Sequence, residues 1–247
     1  MDLGLQGRAA IVCGGSAGIG LGIAEALAEE GAEVVLFARG RDALEREAER
    51  LGGLAVQGDV TSAEDLERLV RTTVEAHSGI DILVNNSGGP PRAPAVGLSA
   101  EQVEDAVRLL LVSVVQLTGL CLPYLERSPC GRIVNVTSST VREPIDALAL
   151  SNAVRPGVIG WAKTLARELG PSGITVNSIA PGSIDTERIR EVWPDGPTEA
   201  DLSSIPLGRL GTPREIGDLV AFLCSARASY ISGALISVDG GQVRALP

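Results

Sequence analysis

The chain has 247 residues, of which 45% are hydrophobic, enough to bury the core of one large α/β domain without calling for a second. Its 30 glycines follow no collagen-like period, which points to tight turns and close backbone approaches and excludes low complexity. A net charge of -10 excludes a dedicated nucleic-acid or anionic-membrane surface, because either would need a basic patch.

Cys13, Cys121, Cys130 and Cys224 form no C-x-x-C pair, so they read as thiols in a reducing cytoplasm rather than as zinc ligands or a disulfide framework. The segment Met1 to Gly7 lacks the charged and apolar regions of a secretory signal, and none is expected. The uncharged run Leu109 to Leu125 contains Ser113, Gln116, Thr118 and Pro123 and falls short of the ~20 residues of a membrane span. It reads as an inner core helix or one face of a subunit contact.

In chain order, short β-branched runs alternate with helical patterns, the signature of βαβ units and a parallel sheet. Strands are predicted at Ala9–Cys13, Glu33–Ala38, Leu54–Gln57, Ile80–Asn85, Arg132–Thr137, Ile174–Ala180 and Ala234–Val238. After the first, Ile19, Ile23 and Leu27 form one apolar helical stripe, closed by Gly31. Thr61 with Glu64 and Ser99 with Gln102 are predicted capping boxes, and Thr212, Pro213 and Glu215 supply a cap, a first-turn proline and an acid. The rhythm breaks at 188–208, where Pro194, Pro197 and Pro206 predict a mobile lid or loop insertion.

The first strand runs directly into Gly14-Gly15-Ser16-Ala17-Gly18-Ile19-Gly20, where a helix opens. Gly14, Gly18 and Gly20 allow a tight turn and bring the helix N-terminus against a pyrophosphate. A glycine-rich turn of no function has the same spacing, but the strand before it and the amphipathic helix after it are what dinucleotide binding requires. Where the second strand ends, the acid that grips the ribose of NAD is replaced by Arg39-Gly40-Arg41. Guanidinium groups there suit a 2′-phosphate and favour NADP, with NAD as the alternative; the competing reading is two solvated residues at a helix start.

These residues resemble the short-chain dehydrogenase/reductase family over essentially the whole chain, and most of all its 3-oxoacyl-[acyl carrier protein] reductase branch. The resemblance rests on Gly14 to Gly20, Gly58-Asp59-Val60, Asn85-Asn86-Ser87-Gly88, Gly131 to Ser138, Gly173 to Asn177 with Pro181-Gly182, and Val238-Asp239-Gly240-Gly241. It implies a Rossmann-like doubly wound α/β sheet of about seven parallel strands with helices on both faces, in a single domain spanning 1–247. It also implies that Asp59 and Val60 meet the adenine, that Asn86, Ser87 and Gly88 line the adenosine ribose, and that Pro181, Gly182, Ile184 and Thr186 hold the nicotinamide carboxamide. A homotetramer is implied as well.

The family's reaction uses Asn, Ser, Tyr and Lys, the tyrosine acting as acid at the carbonyl oxygen and the lysine lowering its pKa from one helical turn away. Ser138 falls at the serine position, but Leu110, Ser151 and Arg155 stand where the Asn, Tyr and Lys belong. Serine is a far poorer acid than a phenol, and arginine keeps its proton, so Ser151 and Arg155 cannot copy those roles. Arg155 can still bond the nicotinamide ribose or an acidic substrate, and Pro156 predicts a helix that begins near Arg155. Lys163 lies two turns further on, Tyr124 and Tyr230 read as packing residues, and His77 reads as a solvated loop residue.

Three readings follow. The first is an NADP-dependent oxidoreductase acting on a carbonyl or acyl compound or a secondary alcohol, with an atypical site built on Ser138, Ser151 and Arg155. The second is a cofactor-binding sensor or partner subunit with little turnover, and the third a dehydration or epimerisation on the same fold.

Overall fold

The computed structural model describes residues 2–193 and 195–245. Among them a parallel seven-stranded sheet runs in the order β3-β2-β1-β4-β5-β6-β7. Its strands are β1 (Ala9–Cys13), β2 (Glu33–Ala38), β3 (Leu54–Gln57), β4 (Ile82–Asn85), β5 (Arg132–Val136), β6 (Thr175–Pro181) and β7 (Leu235–Val238). The helices are α1 (Gly18–Glu29), α2 (Arg41–Leu51), α3 (Ala63–His77), α4 (Ala100–Val107), α5 (Ser113–Leu125), α6 (Ala149–Leu169), α7 (Glu187–Val192), α8 (Glu199–Ser203) and α9 (Pro213–Cys224).

Strand side chains alternate between two apolar layers, as the period of two demands. Ala10, Val12, Val34, Leu36, Ile82 and Val84 pack with α1, α2 and α9 on one face. Ile11, Cys13, Val35, Phe37, Leu83 and Ile133 pack with α3, α5 and α6 on the other. The doubly wound architecture is as expected. Helices α1 and α9 meet at paired glycines: a Cβ on Gly217 would stand 2.2 Å from the Gly22 carbonyl oxygen.

Several boundaries differ from expectation. β4 begins two residues late because Asp81 is spent on a corner, its N–H donating to Ala9 O and its carboxylate accepting from the Ala9 N–H. β5 stops at Val136, with the Thr137 hydroxyl donating to Ile179 O at 2.6 Å. α3 is capped by Ser62, which accepts from the Asp65 N–H, and not by Thr61, whose hydroxyl donates to Asp59 Oδ1 at 2.7 Å. The boxes at Ser99–Gln102 and Thr212–Glu215 form as expected.

The segment 188–208 is not an irregular loop: α7 and α8 occupy much of it, and Thr198 and Asp201 make a further capping box. Pro194 and the Glu191 side chain lie outside the described residues. Helix α6 starts at Ala149 and runs through Pro156, earlier than the proline predicted. Pro156 is exposed, so its missing N–H costs one hydrogen bond without driving the ring into the core.

The uncharged run at Leu109–Leu125 belongs to a longer unit. A π segment, Arg108–Val112, joins α4 to α5 into one helix from Ala100 to Leu125, whose most apolar window has a mean hydropathy of 1.8 and is 39% buried. By length and composition this helix could cross a membrane, which the uncharged run alone did not suggest. Its inner face, with Leu117, Cys121 and Leu125, packs against the sheet, while Val112 and Val115 are exposed.

Candidate functional site

The candidate site is assembled at the carboxyl ends of the strands, where a doubly wound sheet leaves a crevice at its switch point between β1 and β4. The glycine turn follows β1. Gly14 has φ +64, and its N–H donates to Phe37 O at 2.7 Å. A Cβ on Gly14 would stand 2.6 Å from Asn86 Nδ2, and one on Gly20 would stand 2.1 Å from the Gly14 carbonyl oxygen. The turn therefore closes to a radius that only glycine permits, and α1 opens with its amides facing the crevice. Asn86 pins the far side, its Nδ2 donating to Cys13 O at 3.1 Å.

Ser16 and Ile19 flank this turn half-buried, and Gly18 stands against Thr186: a Cβ there would meet the Thr186 methyl at 3.2 Å. The ends of β1 and β6 are thus brought together. Pro181 is buried, Gly182 donates its N–H to Val238 O, and Ile184, 5% exposed, bridges to Gly211. Ser87 and Gly88 line the opening, with no atom within 4 Å of a Cβ on Gly88.

At the ends of β2 and β3 lies a hollow of about 350 Å³ lined by Arg39, Gln57, Gly58, Asp59, Asp65 and Arg68. Arg39 is exposed there with no ion-pair partner among the described residues. Arg41 is committed to Glu45 at 2.8 Å, so only one of the two expected arginines faces the hollow. Asp59 bonds Thr61, and its N–H donates to Asp65 Oδ2 at 2.9 Å; Val60 is half-buried beside it. Arg68 holds Asp65 at 2.6 Å and donates to Gln57 O. An open cradle at the helix start and an unpaired guanidinium at the edge together fit a dinucleotide carrying an additional phosphate.

The opposite end of the crevice holds Ser138, Ser151 and Arg155. Ser138 is half-buried just past β5, its Oγ accepting from the Thr140 N–H at 3.2 Å. Ser151 and Arg155 lie one turn apart on α6, only 5% and 7% exposed. The Ser151 Oγ shares a hydrogen bond of 3.0 Å with Thr140 Oγ1. Arg155 donates from Nη1 to Val136 O at 3.3 Å, and its buried Nε has no acceptor. Burial, and then the like charge of Arg188 on α7, pulls the Arg155 guanidinium down to about 10, so it stays charged at neutral pH.

The profile of the family described as "Enoyl-(Acyl carrier protein) reductase" matches residues 14–242. The chain belongs to the short-chain dehydrogenase/reductase family. It is 37% identical to the 3-oxoacyl-[acyl-carrier-protein] reductase FabG of Vibrio cholerae, over 97% of this chain and 99% of that one. It is also 37% identical to dehydrogenase/reductase SDR family member 4 of Homo sapiens, over 96% of this chain and 88% of that protein. Among solved structures, L-sorbose reductase from Gluconobacter frateurii, complexed with NADPH and L-sorbose, superposes with a TM-score of 0.92 at 32% identity over the full length of both chains.

Within this short-chain dehydrogenase/reductase frame, no phenol or lysine approaches Ser151 among the described residues. Lys163 is turned away, its Nζ donating to Gly233 O at 2.8 Å. Tyr124 is half-buried under the Arg127 guanidinium, 4.8 Å from its ring centre. Tyr230 is fully exposed, contrary to its reading as a packing residue, because the turn after α9 points it outward. His77 is the last residue of α3 rather than part of a loop, with Nε2 buried and unpartnered. Leu110 sits buried in the π segment at the position the resemblance gives to asparagine.

Sequence reasoning missed Thr140 and Arg68. Thr140 meets Ser151 only because the first turn of α6 folds under the end of β5, and no periodicity links residues so placed. Arg68 reaches the Arg39 hollow from α3 across the end of β3. Asn85, Asn135 and Thr118 form a further buried polar cluster, with Asn85 Nδ2 donating to Asn135 Oδ1 at 2.9 Å and to Thr118 Oγ1 at 3.1 Å.

Proposed function

We propose that this chain is an NADP(H)-dependent oxidoreductase interconverting a carbonyl and a secondary alcohol, 3-oxoacyl reductase-like, with a non-standard catalytic set. The observation that carries this reading is the meeting, in one crevice, of a glycine cradle, an unpaired Arg39 beside an open hollow, and Ser138 at the end of the neighbouring half-sheet. FabG is a reductase, the sorbose reductase is complexed with NADPH and YwfH is an NADPH-dependent reductase, which supports the same cofactor here.

Gly14, Ser16, Gly18, Ile19 and Gly20 would hold the pyrophosphate and Arg39 the 2′-phosphate. Asp59 and Val60 would meet the adenine, Asn86, Ser87 and Gly88 the adenosine ribose, and Pro181, Gly182, Ile184 and Thr186 the carboxamide. When bound, the nicotinamide supplies a hydride to the carbonyl carbon. Ser138 would hold the carbonyl oxygen in place beforehand and stabilise the charge that gathers on it during that transfer. The hydroxyl pair of Thr140 and Ser151 would relay a proton from a water molecule toward that oxygen, leaving hydroxide to be neutralised by solvent and replacing a phenol with a slower donor. The segment 188–208 acts as a lid over the substrate end. The oligomer is a homotetramer in the cytoplasm, for which the exposed apolar face of the Ala100–Leu125 helix and the four free thiols speak.

A second reading, a cofactor-binding sensor or partner subunit, is favoured because, among the described residues, the hydrogen-bond partner of the Ser151 hydroxyl is another alcohol, Thr140, and no phenol or ammonium. NADPH consumption over a panel of ketones and aldehydes separates the two. Turnover is expected, and Ser138→Ala should lower kcat about 10²–10³-fold, the loss typical of one oxyanion donor. Tight NADPH binding with no consumption for any compound would favour the second reading.

A further inference from the structure

The most demanding group in the crevice is Arg155, which the proton relay does not use. It is 7% exposed, and among the described residues no carboxylate stands against it: the other influence on its charge is a second cation, Arg188. Its Nη1 donates a long hydrogen bond to Val136 O, and its Nε has no acceptor among the described residues. A guanidinium taken out of water without an anion is costly, and its planar fork matches a carboxylate. The cofactor's pyrophosphate does not meet this need. The glycine turn follows β1, whereas Val136 ends β5, two strands away in the sheet order and so about 10 Å across it.

We propose that the substrate is a small oxo acid whose carboxylate is held by Arg155, and that this arginine selects for that charge. This rests on the oxidoreductase reading above and narrows its substrate. Ser151 and Arg155 stand one helical turn apart on one face of α6, with about 5–6 Å between their Cβ atoms. A carbonyl oxygen near Ser138 and Ser151 would therefore leave a carboxylate one or two carbons away within reach of the guanidinium, which suits 2-oxo and 3-oxo acids. Arg188, on α7, donates to Pro90 O at 3.0 Å and adds a second positive charge at the same end. The carboxylate takes no part in bond making: the carbonyl carbon gains the hydride from NADPH, the carbonyl π pair moves to oxygen, and a proton completes the hydroxyl group.

The test compares 2-oxobutanoate and 3-oxobutanoate with their methyl esters as substrates at saturating NADPH. One of the acids should exceed its ester at least 100-fold in kcat/KM. In Arg155→Gln that ratio should fall to near one, with the loss carried by KM for the acid and the NADPH dissociation constant little moved. Arg155→Lys should keep part of the preference. Esters or neutral ketones reduced as well as the acids would overturn the proposal while leaving the oxidoreductase reading intact. If Arg155→Gln instead lost NADPH affinity together with turnover of acids and esters alike, the arginine would belong to the cofactor's ribose and the proposal would fail. Calorimetric titration of the wild type with the same acids and esters, with and without NADP⁺, gives a readout that does not need turnover. Acid binding with no NADPH consumption for the acids or for any compound of the carbonyl panel would sink the oxidoreductase reading and the substrate proposal with it, leaving only an anion site, whereas no binding of either acid would sink the substrate proposal alone.

Discussion

At the scale of single residues, the chemistry is set by what each side chain can find as a partner. Arg39 and Arg41 look equivalent in the sequence, yet Arg41 opens α2 and pairs with Glu45 one turn on, so that of the two only Arg39 lines the hollow, beside an Arg68 already held by Asp65. Losing a charge-assisted bond to a phosphate costs about 1.5–3 kcal/mol. Arg39→Ala is therefore expected to weaken NADPH binding about 10–100-fold and leave NADH binding nearly unchanged, as read by nucleotide fluorescence. An equal loss for both nucleotides would deny Arg39 the 2′-phosphate. Leu110, Ser151 and Arg155 are singled out in the sequence by the family resemblance alone, whose motifs on either side set the register. The partner of Ser151 is not, since Thr140 is brought to it by packing alone.

Strand positions are easy to read at the scale of elements because a parallel sheet is buried on both faces, so each strand is an uninterrupted apolar run. Caps are harder. Thr61-x-x-Glu64 and Ser62-x-x-Asp65 fit one pattern, and the structure chooses the second because Asp59 draws the Thr61 hydroxyl into its own turn. Pro156 misplaced the start of α6 for a related reason: a proline signals a helix end only where its ring and lost donor cannot be tolerated, and here it faces solvent. The cap of α9 is unambiguous, with Pro213 after Thr212 and Glu215 three residues on. The Arg209 side chain, then the Thr212 backbone N–H, hold the Glu215 carboxyl down at about 2 from 4.5. A carboxylate so depressed adds stability above its unfolded pKa and loses it as pH falls from about 4.5 toward 2. Glu215→Gln should thus lower unfolding stability at pH 7 by no more than about 1 kcal/mol, because the pair is well exposed to solvent screening. The gap should close between pH 4.5 and 2 in chemical denaturation, and a gap that persisted at pH 2 would contradict the assignment.

For the whole molecule, the rhythm of the chain was enough to read a parallel sheet and the family resemblance supplied its doubly wound form, but the helix from Ala100 to Leu125 was not readable from its uncharged portion. Its charged first turns and π segment extend it well beyond that run, and its outward valines are left uncovered in the single chain. In a homotetramer those valines are covered. Val112→Asp combined with Val115→Asp should then dissociate the assembly in analytical ultracentrifugation, and an unchanged sedimentation coefficient would place the contacts elsewhere. In the proposed function one crevice serves both cofactor and chemistry. The most direct check is a fluorescence titration of the purified protein with NADPH and NADH, scored in the same samples for consumption over a carbonyl panel. That function predicts tighter binding of NADPH than of NADH, together with measurable turnover. Failure to bind either nucleotide would contradict the glycine cradle and Arg39 together, and with them the proposed function.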